Sequence, residues 1–119
     1  MNINNDYFLS ADKFRSLVER GFDFSSTYQF DGDVNSPITA EQLYKYLPPI
    51  AEIDGSDCKA VLTTDWIDDE ELFILSYERV DDMWVCKTFI GDKLTDVLYE
   101  AIDWFDSMDK LPISCYKTE

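Results

Sequence analysis

Between Lys93 and Met108 apolar residues recur at helical spacing, and this stripe limits the folds open to the chain more than any other feature. Leu94, Val97, Leu98, Ala101, Phe105 and Met108 share one side of a helix, widened by Ile102 and Trp104. A helix with so broad an apolar side is stable only when that side is packed on another element. The preceding residues supply one. Ile50–Ile53, Lys59–Trp66, Leu72–Val80 and Met83–Ile90 read as strands, with Asp54-Gly55 a strong hairpin signal and Asp81-Asp82 a weaker one. Gly91-Asp92 ends the run, and Lys110 and Pro112 mark the end of the helix. Grouped strands followed by a helix predict an α+β fold. It would have an antiparallel sheet of about four strands, a C-terminal amphipathic helix packed across it, and short N-terminal helices.

Local signals organise the first half. Ser10 is placed to cap a helix from Ala11 to Arg20, with Asp12 in its first turn and Phe14, Leu17 and Val18 on one side. Gly21 suits the position just past its end, and Phe22 would supply the apolar contact that follows. From Phe22 to Phe30 the period changes to two, so Phe22, Phe24, Tyr28 and Phe30 would line one face of a strand. Thr39 and Gln42 form a capping-box pattern, opening a short helix through Leu43 and Leu47 that should stop before Pro48-Pro49.

The 119 residues fit one domain spanning the whole chain, and 8 Phe, 7 Tyr and 3 Trp give it bulk for a core. Cys58, Cys86 and Cys115 are widely spaced, without a Cys-x-x-Cys pair, which suggests reduced thiols. Met1 to Leu9 lacks the basic start and apolar run of a signal peptide, and no stretch approaches the ~18–20 apolar residues of a membrane span. A cytoplasmic protein is expected. Histidine is absent, which removes the commonest general base and metal ligand, and there is no Gly-rich phosphate loop. Lys59 and Lys87 adjoin Cys58 and Cys86, but neighbours on a strand point to opposite faces, so these thiols read as core residues. Catalysis by carboxylates alone is the route left open. The expectation is a non-enzymatic protein without a cofactor.

The net charge is −15, from 25 acidic and 10 basic residues. Small domains commonly carry magnitudes of ~2–8. Such a chain repels nucleic acid and anionic membranes and attracts basic proteins, above all nucleic-acid-binding proteins and nucleases. Three acidic features stand out. Asp92, Asp96, Glu100 and Asp103 form a band on the C-terminal helix opposite the apolar stripe, with Asp106 at its edge and only Lys93 near it. The second is Asp65-Trp66-Ile67-Asp68-Asp69-Glu70-Glu71, where an aromatic anchor ringed by carboxylates suits an arginine-rich surface. Asp81-Asp82 belongs to the following turn, at the other end of the sheet, and would not join it. The plain alternatives are a solvated helix face and a charge-blunted turn. The third feature, from Asp31 to Gln42, resembles an EF-hand calcium loop. Asp31, Asp33 and Asn35 would hold the metal, but Ser36 replaces the turn glycine and Gln42 the bidentate glutamate.

The run Trp84-Val85-Cys86-Lys87-Thr88-Phe89-Ile90-Gly91-Asp92-Lys93-Leu94, continuing to Trp104-Phe105, resembles small phage- or prophage-encoded proteins that end in two strands and an amphipathic helix. In size and acidity the chain is also similar to DNA-mimic anti-restriction and anti-CRISPR inhibitors and to nuclease-toxin immunity proteins. That similarity implies an inhibitor covering the basic, nucleic-acid-binding surface of a target. On the charge pattern of this sequence, its surface would be Asp92, Asp96, Glu100, Asp103 and Asp106, then Asp68, Asp69, Glu70, Glu71 and Trp66. A structural or assembly protein with incidental acidity and a calcium-binding domain are the alternatives. An exposed edge strand, Trp66 or Tyr99 would give a homo-oligomer its contact.

Overall fold

The structure, a computed structural model, describes residues 9–24 and 38–116. Its centre is an antiparallel meander of β1 (Ile50–Ile53), β2 (Ser56–Ile67), β3 (Glu70–Arg79) and β4 (Val85–Gly91), paired in chain order. The first two connections are two-residue turns, closed by the pairs Ile53↔Ser56 and Ile67↔Glu70. Asp54 and Gly55 lie at φ 52° and 81°, and Asp68 and Asp69 at φ 53° and 65°. Two successive left-handed residues match the right-handed twist of the flanking strands, and the short polar side chain of aspartate tolerates that conformation. The stretch from Asp65 to Glu71 is therefore no open loop. The strands run through it and leave only Asp68-Asp69 at the tip.

The third connection is longer, with a register shift between Tyr77 and Glu78 and Met83 at φ 63°. Arg79 Nε donates to Asp82 Oδ1 at 2.9 Å, and the Trp84 N–H donates to the same oxygen at 3.1 Å. These bonds hold the Asp82 carboxyl below the usual aspartate range, the arginine first. A depressed carboxyl stabilises the fold above its unfolded pKa and loses that contribution as pH falls through its folded pKa. In a carbon-detected pH titration, Asp82 is expected to titrate below the usual aspartate range, and Arg79→Ala to remove the larger part of that depression, the Trp84 N–H bond remaining.

A helix, α1 (Ala11–Glu19), precedes the sheet and begins as its sequence dictates: the Ser10 hydroxyl accepts from the Lys13 N–H. It ends with Gly21 at φ 93°, the Gly21 N–H donating to Val18 and the Phe22 N–H to Leu17, the paired bonds of a Schellman cap. Phe22 then bridges Tyr116. Asp23 and Phe24 continue the chain without strand pairing, and the remainder of the strand expected to Phe30 lies outside the described residues. A short helix, α2 (Ala40–Tyr44), opens with a capping box in which both Thr39–Gln42 bonds are present, and Lys45 to Leu47 leave it in tighter turns ahead of the prolines.

The last helix, α3 (Leu94–Ser107), packs across the sheet on β3 and β4, with α2 beside it. Val97, Leu98, Ala101, Ile102 and Phe105 are buried against Leu75, Tyr77 and Phe89. The Phe105 ring stands edge-on to Tyr77 and Trp104 at centroid distances of 5.0 and 4.9 Å. The buried Tyr77 hydroxyl donates to the Pro48 carbonyl at 2.8 Å, which satisfies the one polar atom of that ring. Met108, counted in the apolar stripe, lies past the helix end and is exposed. Cys58 and Cys115 are buried, and burial together with neighbouring Cys86 pushes the Cys58 thiol up to about 11.

Among the described residues α3 packs on the sheet with α2 beside it, and the principal extents are 43 × 41 × 19 Å. The short dimension leaves room for one sheet layer and one helix layer. Among the described residues no element covers the other sheet face, which presents Ile50, Ile67, Val85 and Ile90, all exposed. No helix among the described residues is long and apolar enough to cross a membrane.

Candidate functional site

The acidic band on α3 does not stand in open solvent alone, because α1 lies beside it and contributes cations. Lys13 Nζ is 2.7 Å from Asp96 Oδ1. Arg20 Nη1 reaches Asp103 Oδ1 at 2.8 Å and Asp106 Oδ2 at 3.1 Å. Tyr99 lies between the two cations: Lys13 Nζ is 5.5 Å and the Arg20 guanidinium 5.9 Å from its ring centre, and its hydroxyl accepts from Arg20 Nη2 at 3.1 Å. The Tyr116 hydroxyl donates to the other oxygen of Asp106. Asp106 is only 22 % exposed as a side chain, whereas Asp103 is 52 % exposed. Sequence spacing leaves only Lys93 near this band; the fold adds Lys13 and Arg20. Asp96, Asp103 and Asp106 thus join α1 to α3, and half-buried Tyr99 belongs to that joint. Arg20→Ala is expected to destabilise the fold by about 1–2 kcal/mol, since two carboxylates and a phenol lose one shared donor. Urea denaturation measures this, and Arg20→Lys should recover only part of it, lacking the planar fork.

A second group of acids, without such partners, lies where the N-terminal end of α3 meets the sheet. In the sheet register Phe73 pairs with Gly91, so Asp92 emerges beside the β2–β3 hairpin tip. The band on the helix and the acidic hairpin, separate in the sequence, meet there. A concavity of about 430 Å³ is lined by Trp66, Asp69, Glu70, Glu71, Phe73 and Asp92. Trp66 is 66 % exposed and covers no core. Among the described residues, none of Asp65, Asp68, Asp69, Glu70, Glu71 and Asp92 makes an ion pair. Glu100, exposed on the helix, is likewise unpaired. Asp81 and Asp82 lie at the far end of the sheet, as alternate hairpin turns require.

An apolar groove adjoins this acidic end. Where β2 outruns β1, Leu62 faces Leu94 and Leu98 of α3 and Ala40 and Tyr44 of α2, around a volume of about 380 Å³ with Glu41 and Lys45 at its rim. The sequence pattern does not single out this groove, because it lies between three elements brought together only by the fold.

The described residues hold no cluster of three or more histidine, cysteine or acidic side chains arranged to bind a metal. Asp31, Asp33 and Asn35 lie outside the described residues. Together the fold and this end of it define a two-layer α+β domain presenting an unpaired acidic, aromatic surface. No family model matches the chain, and no curated protein or solved structure gives a significant match.

Proposed function

We propose that the protein is a non-enzymatic inhibitor, of the anti-defence or immunity type, whose acidic end occupies the basic nucleic-acid-binding surface of a target protein in the cytoplasm. The supporting observation is the division of its acids. Asp96, Asp103 and Asp106 have internal cations, whereas Asp69, Glu70, Glu71 and Asp92 line one concavity with exposed Trp66 and make no ion pair among the described residues. Two carboxylates held ~4 Å apart repel by about 1 kcal/mol even in bulk water. A cluster of four keeps that repulsion until a cationic partner relieves it. Trp66 offers a face for an arginine to stack on, while the adjacent carboxylates accept its hydrogen bonds. Association would be fast and would weaken steeply with salt. Asp92 and the hairpin acids are the primary surface, and Glu100 and Asp103 extend it along the helix.

The test is affinity capture from a bacterial lysate at low and then moderate salt, with retained proteins identified by mass spectrometry. A basic nucleic-acid-binding protein that is retained at low salt and released at moderate salt supports the proposal. Retention of no specific protein, or of a partner indifferent to salt, contradicts it. The open sheet face with Ile50, Ile67, Val85 and Ile90 favours a second reading, a structural or assembly protein that buries this face. That reading predicts salt-insensitive self-association or complex formation.

A further inference from the structure

The edge of β2 is open where it passes β1. β1 pairs with Ser56 to Lys59 only, and the Ala60 N–H donates to the Pro49 carbonyl at 3.0 Å. Pro48-Pro49 then turns the chain away from the sheet, so β1 runs no further along β2. From Val61 to Ile67 that edge has no strand partner among the described residues. Alternation along a strand directs the N–H and C=O of Leu62, Thr64 and Trp66 to the same edge as Ala60. The Trp66 N–H is taken by its neighbour, donating to Asp65 Oδ1 at 2.9 Å. Among the described residues the backbone groups of Leu62 and Thr64 have no such partner on that edge.

The side chains of the same residues mark out what would lie beside them. Leu62 walls the apolar groove and Trp66 the acidic concavity, both on the helix side of the sheet. We propose that this edge takes up an extended segment of the target as a fifth strand, antiparallel to β2 and continuing the line of β1. Its apolar residue opposite Leu62 would enter the groove, and its arginine or lysine opposite Trp66 would meet Glu71 and Asp92. Leu62 and Trp66 are four positions apart, so in an antiparallel segment the basic residue comes four positions before the apolar one. The groove volume of about 380 Å³ lies within the ~300–1,000 Å³ of small-ligand sites, ample for one such side chain. Charge complementarity selects the occupant. A second copy of a chain with net charge −15 is repelled from this acidic edge, and a basic segment is attracted. This inference rests on the proposed function above, since it takes the target to be a basic protein.

Two capped synthetic peptides of equal charge test it, both flanked by lysines: one centred on Arg-Val-Thr-Val-Leu, the other on the reverse order. The first is expected to bind the full chain at least about tenfold more tightly by calorimetry. It should also slow amide hydrogen exchange at Leu62 and Thr64. Thr64→Pro removes an edge N–H without taking a donor from the β2–β3 ladder, and it should cost at least about tenfold in affinity. Should Thr64→Pro unfold, Leu62→Lys at an exposed position blocks the groove instead and should give the same loss. Equal binding of both peptides, binding of neither, or unchanged exchange at Leu62 and Thr64 overturns the strand pairing. Salt-sensitive capture of a basic protein that survives Thr64→Pro overturns it too, while leaving the proposed function in place.

Discussion

Phe105→Ala is expected to lower folding stability by about 3–5 kcal/mol, among the largest effects available to one substitution in this chain. Phe105 is fully buried at the centre of the contact between α3 and the sheet, with Tyr77 on one side and Trp104 on the other. Alanine leaves a cavity that rings held from two different elements cannot readily close. Domains of this size are stable by only ~5–15 kcal/mol, so the loss is a large share of the whole. In urea the midpoint should fall while the slope stays constant, because the surface exposed on unfolding barely changes. A cost below about 1 kcal/mol would mean that α3 is not packed across the sheet.

The second large effect concerns binding rather than folding. Replacing Asp68, Asp69, Glu70, Glu71 and Asp92 with their amides takes the net charge from −15 to −10, five carboxylates being removed. Binding to the basic target should weaken at low salt by about a hundredfold or more. Stability should hold or rise slightly, since like charges are separated and asparagine tolerates the left-handed turn at 68 and 69 at least as well as aspartate. Asp103→Asn with Asp106→Asn is the counterpart. It removes the partners of Arg20, so it should cost about 1–2 kcal/mol of stability and have the smaller effect on binding. Titration of the purified target with each variant, beside urea denaturation of each, separates the two groups. If the helix pair abolishes binding and the hairpin set leaves it intact, the binding surface lies along α3 and not at the hairpin.

Much of the fold was legible because its signals are local. The Asp54-Gly55 turn, the Ser10 cap, the Gly21 terminus and the Thr39–Gln42 capping box each involve residues within a few positions of one another, and each stands where the sequence places it. The α3 stripe was readable for the same reason, save Met108 at its end. Strand limits beside Asp68-Asp69 were less so: two aspartates resemble a loop, and only the positive φ at both shows how tight the turn is. The candidate surface was half legible. Its residue types and its runs of charge appear in the sequence. Which acids have cations does not, because Lys13 and Asp96 are 83 positions apart and Arg20 and Asp106 are 86. The meeting of Asp92 with Trp66 depends on strand register, which no single segment encodes. The groove at Leu62 depends further on Pro48-Pro49 ending β1 where they do.

The most direct test of the proposed function is competition between this protein and duplex nucleic acid for the captured target. Purified target is held at a concentration near its affinity for labelled DNA or RNA, and the unmodified chain is titrated in while anisotropy is followed. Full displacement of the duplex, strongest at low salt and lost in the five-amide hairpin variant, is the expected result. A ternary complex, in which target holds duplex and this protein together, would contradict it.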